Sequence, residues 1–136
     1  MFPIYQGRTC MPPTLFAPNT TANLTCTLGG YPVYAVNATT VAHIQLAVNF
    51  ARNQDIRLVV KNTGHDYLGK SSGAGSLSVW MHNNKEIEFL SEYEGGPAFK
   101  LASGVTVLEV YQAAERYGVS ALGGIAPVSH SKFLFL

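Results

Sequence analysis

Apolar residues fall in short blocks along the chain, separated by stretches of Gly, Pro, Asn, Ser and Thr. Residues 1–30 lack a sustained apolar period and predict an irregular lead-in. Pro32-Val33-Tyr34-Ala35-Val36 predicts a short strand. Asn37-Ala38-Thr39-Thr40 then offers Thr39 or Thr40 as a helix N-cap, because a threonine hydroxyl can take an otherwise unpaired N–H of the first turn. The helix should run from about Val41 to Asn53. Val41, Ile44, Ala47 or Val48, and Ala51 fall at helical spacing and define its buried face. Ile56-Arg57-Leu58-Val59-Val60 predicts the next strand. Strand, helix and strand in succession form a βαβ unit, for which a right-handed crossover is the default.

Beyond a polar, glycine-rich stretch, Gly75 to Met81 predicts another strand, and Glu86-Ile87-Glu88-Phe89-Leu90 a further one. Glu94-Gly95-Gly96-Pro97 marks a turn before the strand Ala98 to Ala102. Thr106-Val107-Leu108-Glu109 has the capping-box spacing, with Glu three residues after Thr. The helix it opens should reach Tyr117 and stop at Gly118, with Val107, Val110, Ala114 and Tyr117 as its apolar stripe. Val119 to Leu122 then leads into Gly123-Gly124. The sequence shows neither internal repeats nor low-complexity tracts.

With 136 residues the chain has room for one modest domain. Its composition, 47% hydrophobic and 12% charged, suits a packed core rather than disorder. A net charge of +1 without a basic cluster gives nucleic-acid binding no electrostatic basis. No apolar run nears the roughly 20 residues that span a bilayer. His43, His65, His82 and His130 lack the partner spacing of a metal site, and no G-x-S-x-G elbow points to a hydrolase. Three sequons, at Asn19, Asn23 and Asn37, point to a secreted glycoprotein. Cys10 and Cys26 are the only cysteines, and an even pair beside sequons favours one disulfide pinning the lead-in, worth about 2–4 kcal/mol. Met1 to Gln6 has no signal-peptide h-region, so a secreted form is expected to have its true N-terminus outside this chain.

The candidate chemistry lies in the stretch from Val59 to Gly75, where the apolar run empties into a loop of glycines and hydroxyls. Such a loop presents backbone N–H groups unobstructed by side chains, which suits a pyrophosphate. Asn62, Thr63, Gly64, Asp66, Gly69, Ser71 and Ser72 fit that role, with Lys61 and Lys70 available to neutralise phosphate charge. The pattern is not a G-x-G-x-x-G opening a helix, which disfavours a Rossmann site.

The segment Lys61 to Trp80, KNTGHDYLGKSSGAGSLSVW, resembles the flavin loop of FAD-linked oxidases of the vanillyl-alcohol oxidase and berberine-bridge-enzyme type, in their secreted fungal branch. The resemblance runs from about Cys10 to about Gly124 and implies the N-terminal part of a longer protein. It implies an α+β fold: a PCMH-type FAD-binding domain, with a small βαβ subdomain followed by the start of a second, mixed-sheet subdomain. Residues 1–30 are then the lead-in, 31–124 an incomplete FAD-binding domain, and 125–136 a divergent tail. FAD is the implied cofactor, joined through His65 to the flavin 8α-methyl carbon, a bond implied to prevent flavin loss and raise the redox potential. Lys61, Asn62, Thr63, Gly64, His65, Asp66, Tyr67, Gly69, Ser71, Ser72, Gly123 and Gly124 are the implied FAD-binding residues.

The activity implied is hydride transfer from an alcohol-bearing substrate (a sugar, alcohol or secondary metabolite) to flavin and then to O2, giving H2O2. The family's catalytic base lies in a substrate domain outside this chain, so the chain alone is expected to be inert. Ala126 stands where some members carry a second flavin-linking cysteine, leaving single attachment through His65. After Pro127 the pattern departs from the family, as a misread intron, a frameshift or a truncation would each produce. Two other readings stand beside the oxidase: a non-catalytic secreted fragment or interaction module, and a nucleotide-phosphate binder that does not need His65.

Overall fold

The strands β1 (Tyr34–Asn37) and β2 (Leu58–Lys61) both run parallel to β3 (Leu77–Trp80), which lies between them. The computed structural model describes residues 27–128 and the backbone of a short strand at 134–135. The expected βαβ unit is therefore split. β1 and β2 are separated by β3, which the glycine-rich loop carries back into the middle of the sheet. Asn37 and Lys61 end up in register on either side of Trp80.

Helix α1 (Val41–Asn53) has the expected bounds, and Thr40 caps it, its hydroxyl accepting from the His43 N–H at 3.3 Å. Its buried face is narrower than helical spacing predicts. Ala47 and Ala51 are buried, but Val41 is 65% exposed. Val41 sits in the first turn, ahead of the residues that reach the sheet, so its place in the apolar period brings no partner. Ala38, Ala47, Val79 and Met81 form the core of this half, with Val36, Ile44 and Leu58 packed against it.

The second half contains β4 (Ile87–Tyr93), β5 (Gly96–Leu101) and β6 (Leu134–Phe135), in that order and antiparallel. The described pairings of this sheet are all antiparallel. Glu94 and Gly95, both at positive φ, make the two-residue hairpin between β4 and β5. β6 lies in the tail where the sequence predicts no element, and it extends the β5 edge.

Helix α2 (Val107–Tyr117) covers this half. The Glu109 carboxylate reaches back to the Thr106 N–H at 2.7 Å, and the Thr106 hydroxyl donates to the same oxygen at 2.8 Å. Phe99, Val105, Val110, Ala113 and Ala114 form the buried cluster. Phe89 stacks on Tyr117 at 4.3 Å and meets Phe99 at 5.2 Å. The aromatic half of the α2 stripe thus works from an exposed position, closing the core edge rather than filling it.

The two halves meet at Gly104. Its N–H donates to the Asn84 carbonyl at 3.0 Å. A Cβ there would stand 2.2 Å from the Met81 carbonyl oxygen and 2.6 Å from those of His82 and Asn84. Only a residue without a side chain lets the turn before α2 nest into the exit of β3. Lys85 reinforces the junction by pairing with Glu109 at 2.8 Å.

Candidate functional site

The loop from Asn62 to Ser76 is built from successive turns. Asp66 opens one, its carboxylate accepting from the Leu68 N–H at 2.8 Å while its carbonyl accepts from the Gly69 N–H at 3.1 Å. The Ser72 N–H then donates to the Gly69 carbonyl at 3.1 Å and the Ser76 N–H to the Gly73 carbonyl at 3.3 Å. The N–H groups of Leu68, Gly69, Ser72 and Ser76 are consequently used within the loop.

Several predicted side chains have structural work. Ser72 donates its hydroxyl to the Gly30 carbonyl at 2.7 Å, tying the loop to the segment ahead of β1. Lys70 pairs with Asp66 at 2.7 Å rather than standing free for a ligand. The Lys70 hydrogen bond, opposed by desolvation and aided by the Leu68 N–H, holds the Asp66 carboxyl below its ordinary range. Gly64 is at φ +89°, and a Cβ on it would come 3.0 Å from Lys61 Cε. The chain bends tightly over the Lys61 arm at that point, which turns His65 outward.

A cavity of about 380 Å³ opens at the carboxyl ends of β2 and β3, lined by Lys61, Asn62, Thr63, His65, Trp80, His82 and Val128. It has room for about a dozen water molecules. Lys61 places its ammonium 5.9 Å from the Trp80 ring centroid, and the His82 ring stacks on Trp80 with centroids 6.1 Å apart. The Asn62 side-chain oxygen is buried and has no hydrogen-bond partner. His65 Nε2 lies 3.2 Å from the Val128 carbonyl oxygen.

Lys61, Asn62, Thr63 and His65 are thus brought together as expected, and Trp80, His82 and Val128 join them. Trp80 was legible in principle, since it ends the strand that follows the loop. His82 and Val128 carried no local signal. Tyr67 is 88% exposed and does not line the cavity. Gly123 and Gly124 are also outside it and lie on α2. A Cβ at Gly123 would meet Tyr111 Oη at 2.9 Å, and the Tyr111 hydroxyl donates to the Gly124 carbonyl at 3.4 Å. The Leu108 N–H in the first turn of α2 donates to the Pro127 carbonyl at 3.0 Å, which steers Val128 back towards His65. Cys10, Cys26, Asn19 and Asn23 lie outside the described residues. Asn37 is exposed at the end of β1, its side-chain oxygen accepting from Asn83 Nδ2 at 2.9 Å.

The residues present suit a flavin dinucleotide. A half-enclosed cavity with an unsatisfied acceptor and an imidazole adjoins main-chain donors able to face anionic oxygens. No helix among the described residues is long and apolar enough to cross a membrane.

Comparison with known proteins agrees. The family described as FAD binding domain matches residues 32–128. A VAO-type flavoprotein oxidase of Thermothelomyces thermophilus is 44% identical over 127 residues, 90% of this chain and 21% of that protein. An FAD-linked oxidoreductase of Gibberella zeae is 44% identical over 130 residues, 93% of this chain and 22% of that protein. The crystal structure of a VAO-type flavoprotein from Myceliophthora thermophila superposes with a TM-score of 0.75 at 47% identity, over 78% of this chain and 20% of that one. This chain spans about a fifth of the length of these relatives. The chain accordingly belongs to the FAD binding domain family of oxidoreductases, which it shares with VAO-type flavoproteins.

Proposed function

We propose that this chain forms the flavin-holding part of an oxidase, with FAD joined covalently at His65. The observation that carries this reading is the setting of the imidazole. A carbonyl oxygen can only accept, so the Val128 contact requires a proton on Nε2. In the neutral ring that leaves the lone pair on Nδ1, the form that a nucleophile needs. Val128 thereby orients the ring and selects its tautomer. Main-chain N–H groups of the loop around His65 would face the phosphates, and Trp80 and His82 line the cavity beside it. When bound, FAD would supply a two-electron acceptor for an alcohol-bearing substrate (a sugar, alcohol or secondary metabolite), with O2 taking up the two electrons and two protons as H2O2. No catalytic base is assigned within this chain, and the purified chain is expected to be inert with simple alcohols or sugars.

The test is the intact mass of the chain secreted from a eukaryotic host, after deglycosylation and denaturation. An increment of one FAD on the peptide containing His65 is expected, and a persistent increment in His65→Ala would overturn the assignment. The same sample tests the secreted, glycosylated state. Exposure of Asn37 supports a glycan there, and a mass difference of two hydrogens on reduction is expected for a Cys10–Cys26 disulfide.

A second reading, a non-catalytic interaction module, is favoured by one observation. Leu46 and Phe50 line an open apolar groove between α1 and the sheet while remaining 67% and 54% exposed. Strong binding of an apolar dye with a broad unfolding transition supports it; weak binding with a sharp transition counts against it.

A further inference from the structure

Asn62 carries an unmet demand. It follows Lys61 at the end of β2 and lines the same cavity as His65, yet its side-chain oxygen is buried without a hydrogen-bond partner. Unpaired buried acceptors are rare and costly, so such an atom on a residue that lines a ligand cavity calls for a donor from outside the protein. An amide oxygen only accepts. Phosphate oxygens at neutral pH are acceptors too, so Asn62 Oδ1 is not a phosphate contact. The loop instead divides its work, with main-chain donors for the phosphates and a side-chain acceptor at Asn62.

We propose that the Asn62 side-chain oxygen accepts a hydrogen bond from a hydroxyl of the polyol chain next to the flavin ring. The proposal rests on the FAD reading given above, which puts His65 and the flavin half in this cavity. The ribose and amino donors of the adenosine half then lie elsewhere. Because Oδ1 is closed off from solvent, the amide turns about its terminal torsion to meet the hydroxyl. That torsion is broad and two-fold, and no existing bond to Oδ1 is lost in turning it. The unliganded chain bears the unpaired acceptor, and binding relieves it.

The experiment uses the full chain in a His65→Ala background, where reversible binding is not masked by covalent attachment. Riboflavin and FAD are titrated by flavin fluorescence, ADP by calorimetry, for the parent, Asn62→Leu, Asn62→Ala and Asn62→Asp. Removing the acceptor should weaken riboflavin and FAD about tenfold, the size expected for one well-placed hydrogen bond. Asn62→Asp keeps an acceptor and should hold riboflavin within about threefold of the parent. ADP should bind every form equally. The unliganded Leu variant should melt no lower than the parent; Asn62→Ala gives the same binding comparison if the Leu variant does not fold. Equal riboflavin affinity with and without the acceptor overturns the inference and leaves the FAD reading intact. Parallel loss of ADP binding, or a lower melting point of both acceptor-less variants without ligand, also overturns it. A parent chain that binds neither FAD nor riboflavin overturns both.

Discussion

His65 Nε2 and the Val128 carbonyl oxygen meet at 3.2 Å across 63 residues of sequence. The contact joins the flavin loop to the segment after α2 and gives the imidazole one orientation. It follows from two local facts. Gly64 at positive φ turns His65 out of the loop, and the first turn of α2 holds Pro127 through the Leu108 N–H.

The contact predicts the histidine's protonation pattern. In the uncharged ring, 15N NMR should show His65 with a protonated Nε2 and a lone pair on Nδ1. The opposite tautomer would show that the Val128 contact is not kept. His65 is exposed, so His65→Ala should change unfolding free energy by less than about 0.5 kcal/mol while abolishing covalent flavin.

Gly104→Ala should be among the most damaging single-methyl changes in this chain. The added carbon meets three carbonyl oxygens, the nearest 2.2 Å away, and all of them belong to backbone that joins the two halves. Denaturant unfolding should show a loss of about 3 kcal/mol or more. A loss under about 1 kcal/mol would mean that the β3 exit yields easily.

Phe99→Ala removes a ring that is 2% exposed and touches both Phe89 and Tyr117, and should cost about 3–5 kcal/mol. Val60 also belongs to an apolar strand pattern, but it is 56% exposed, and Val60→Ala should cost less than about 1 kcal/mol. Similar losses for the two would contradict the packing described above.

Acid should weaken the cap of α2. Desolvation pushes the Glu109 carboxyl up, but the Lys85 hydrogen bond and the Thr106 N–H and hydroxyl outweigh it, so its pKa falls below the ordinary value of 4.5. A lowered folded-state pKa gives stability that is complete above the unfolded value and lost as pH falls through the folded one. Glu109→Gln should therefore reduce stability at neutral pH and flatten its decline below about pH 4.5. An unchanged acid limb in that variant would remove Glu109 from the account.

Much of the fold was legible because its signals are local. Thr40 and the apolar residues after it set the start of α1, and Thr106, Glu109 and Gly118 bound α2 through caps made within one or two turns. The loop was legible for the same reason, since glycines and Asp66 encode turns among near neighbours. Other features depended on residues far away in sequence. The exposure of Val41 depends on where the helix meets the sheet, and the insertion of β3 between β1 and β2 depends on strand pairing. The placement of Gly123 on Tyr111 depends on how the tail crosses α2.

The sequence by itself determined the succession of helices and strands, the turn-rich loop and the kinship that marks His65, because caps, periodicity and motifs act over a few residues. Tertiary structure alone decided that Trp80, His82 and Val128 would wall the cavity, that Asn62 would lose its hydrogen-bond partner and that β6 would extend the second sheet. Those outcomes follow from which main-chain and side-chain groups exclude water from one another, and that is settled only when distant segments pack.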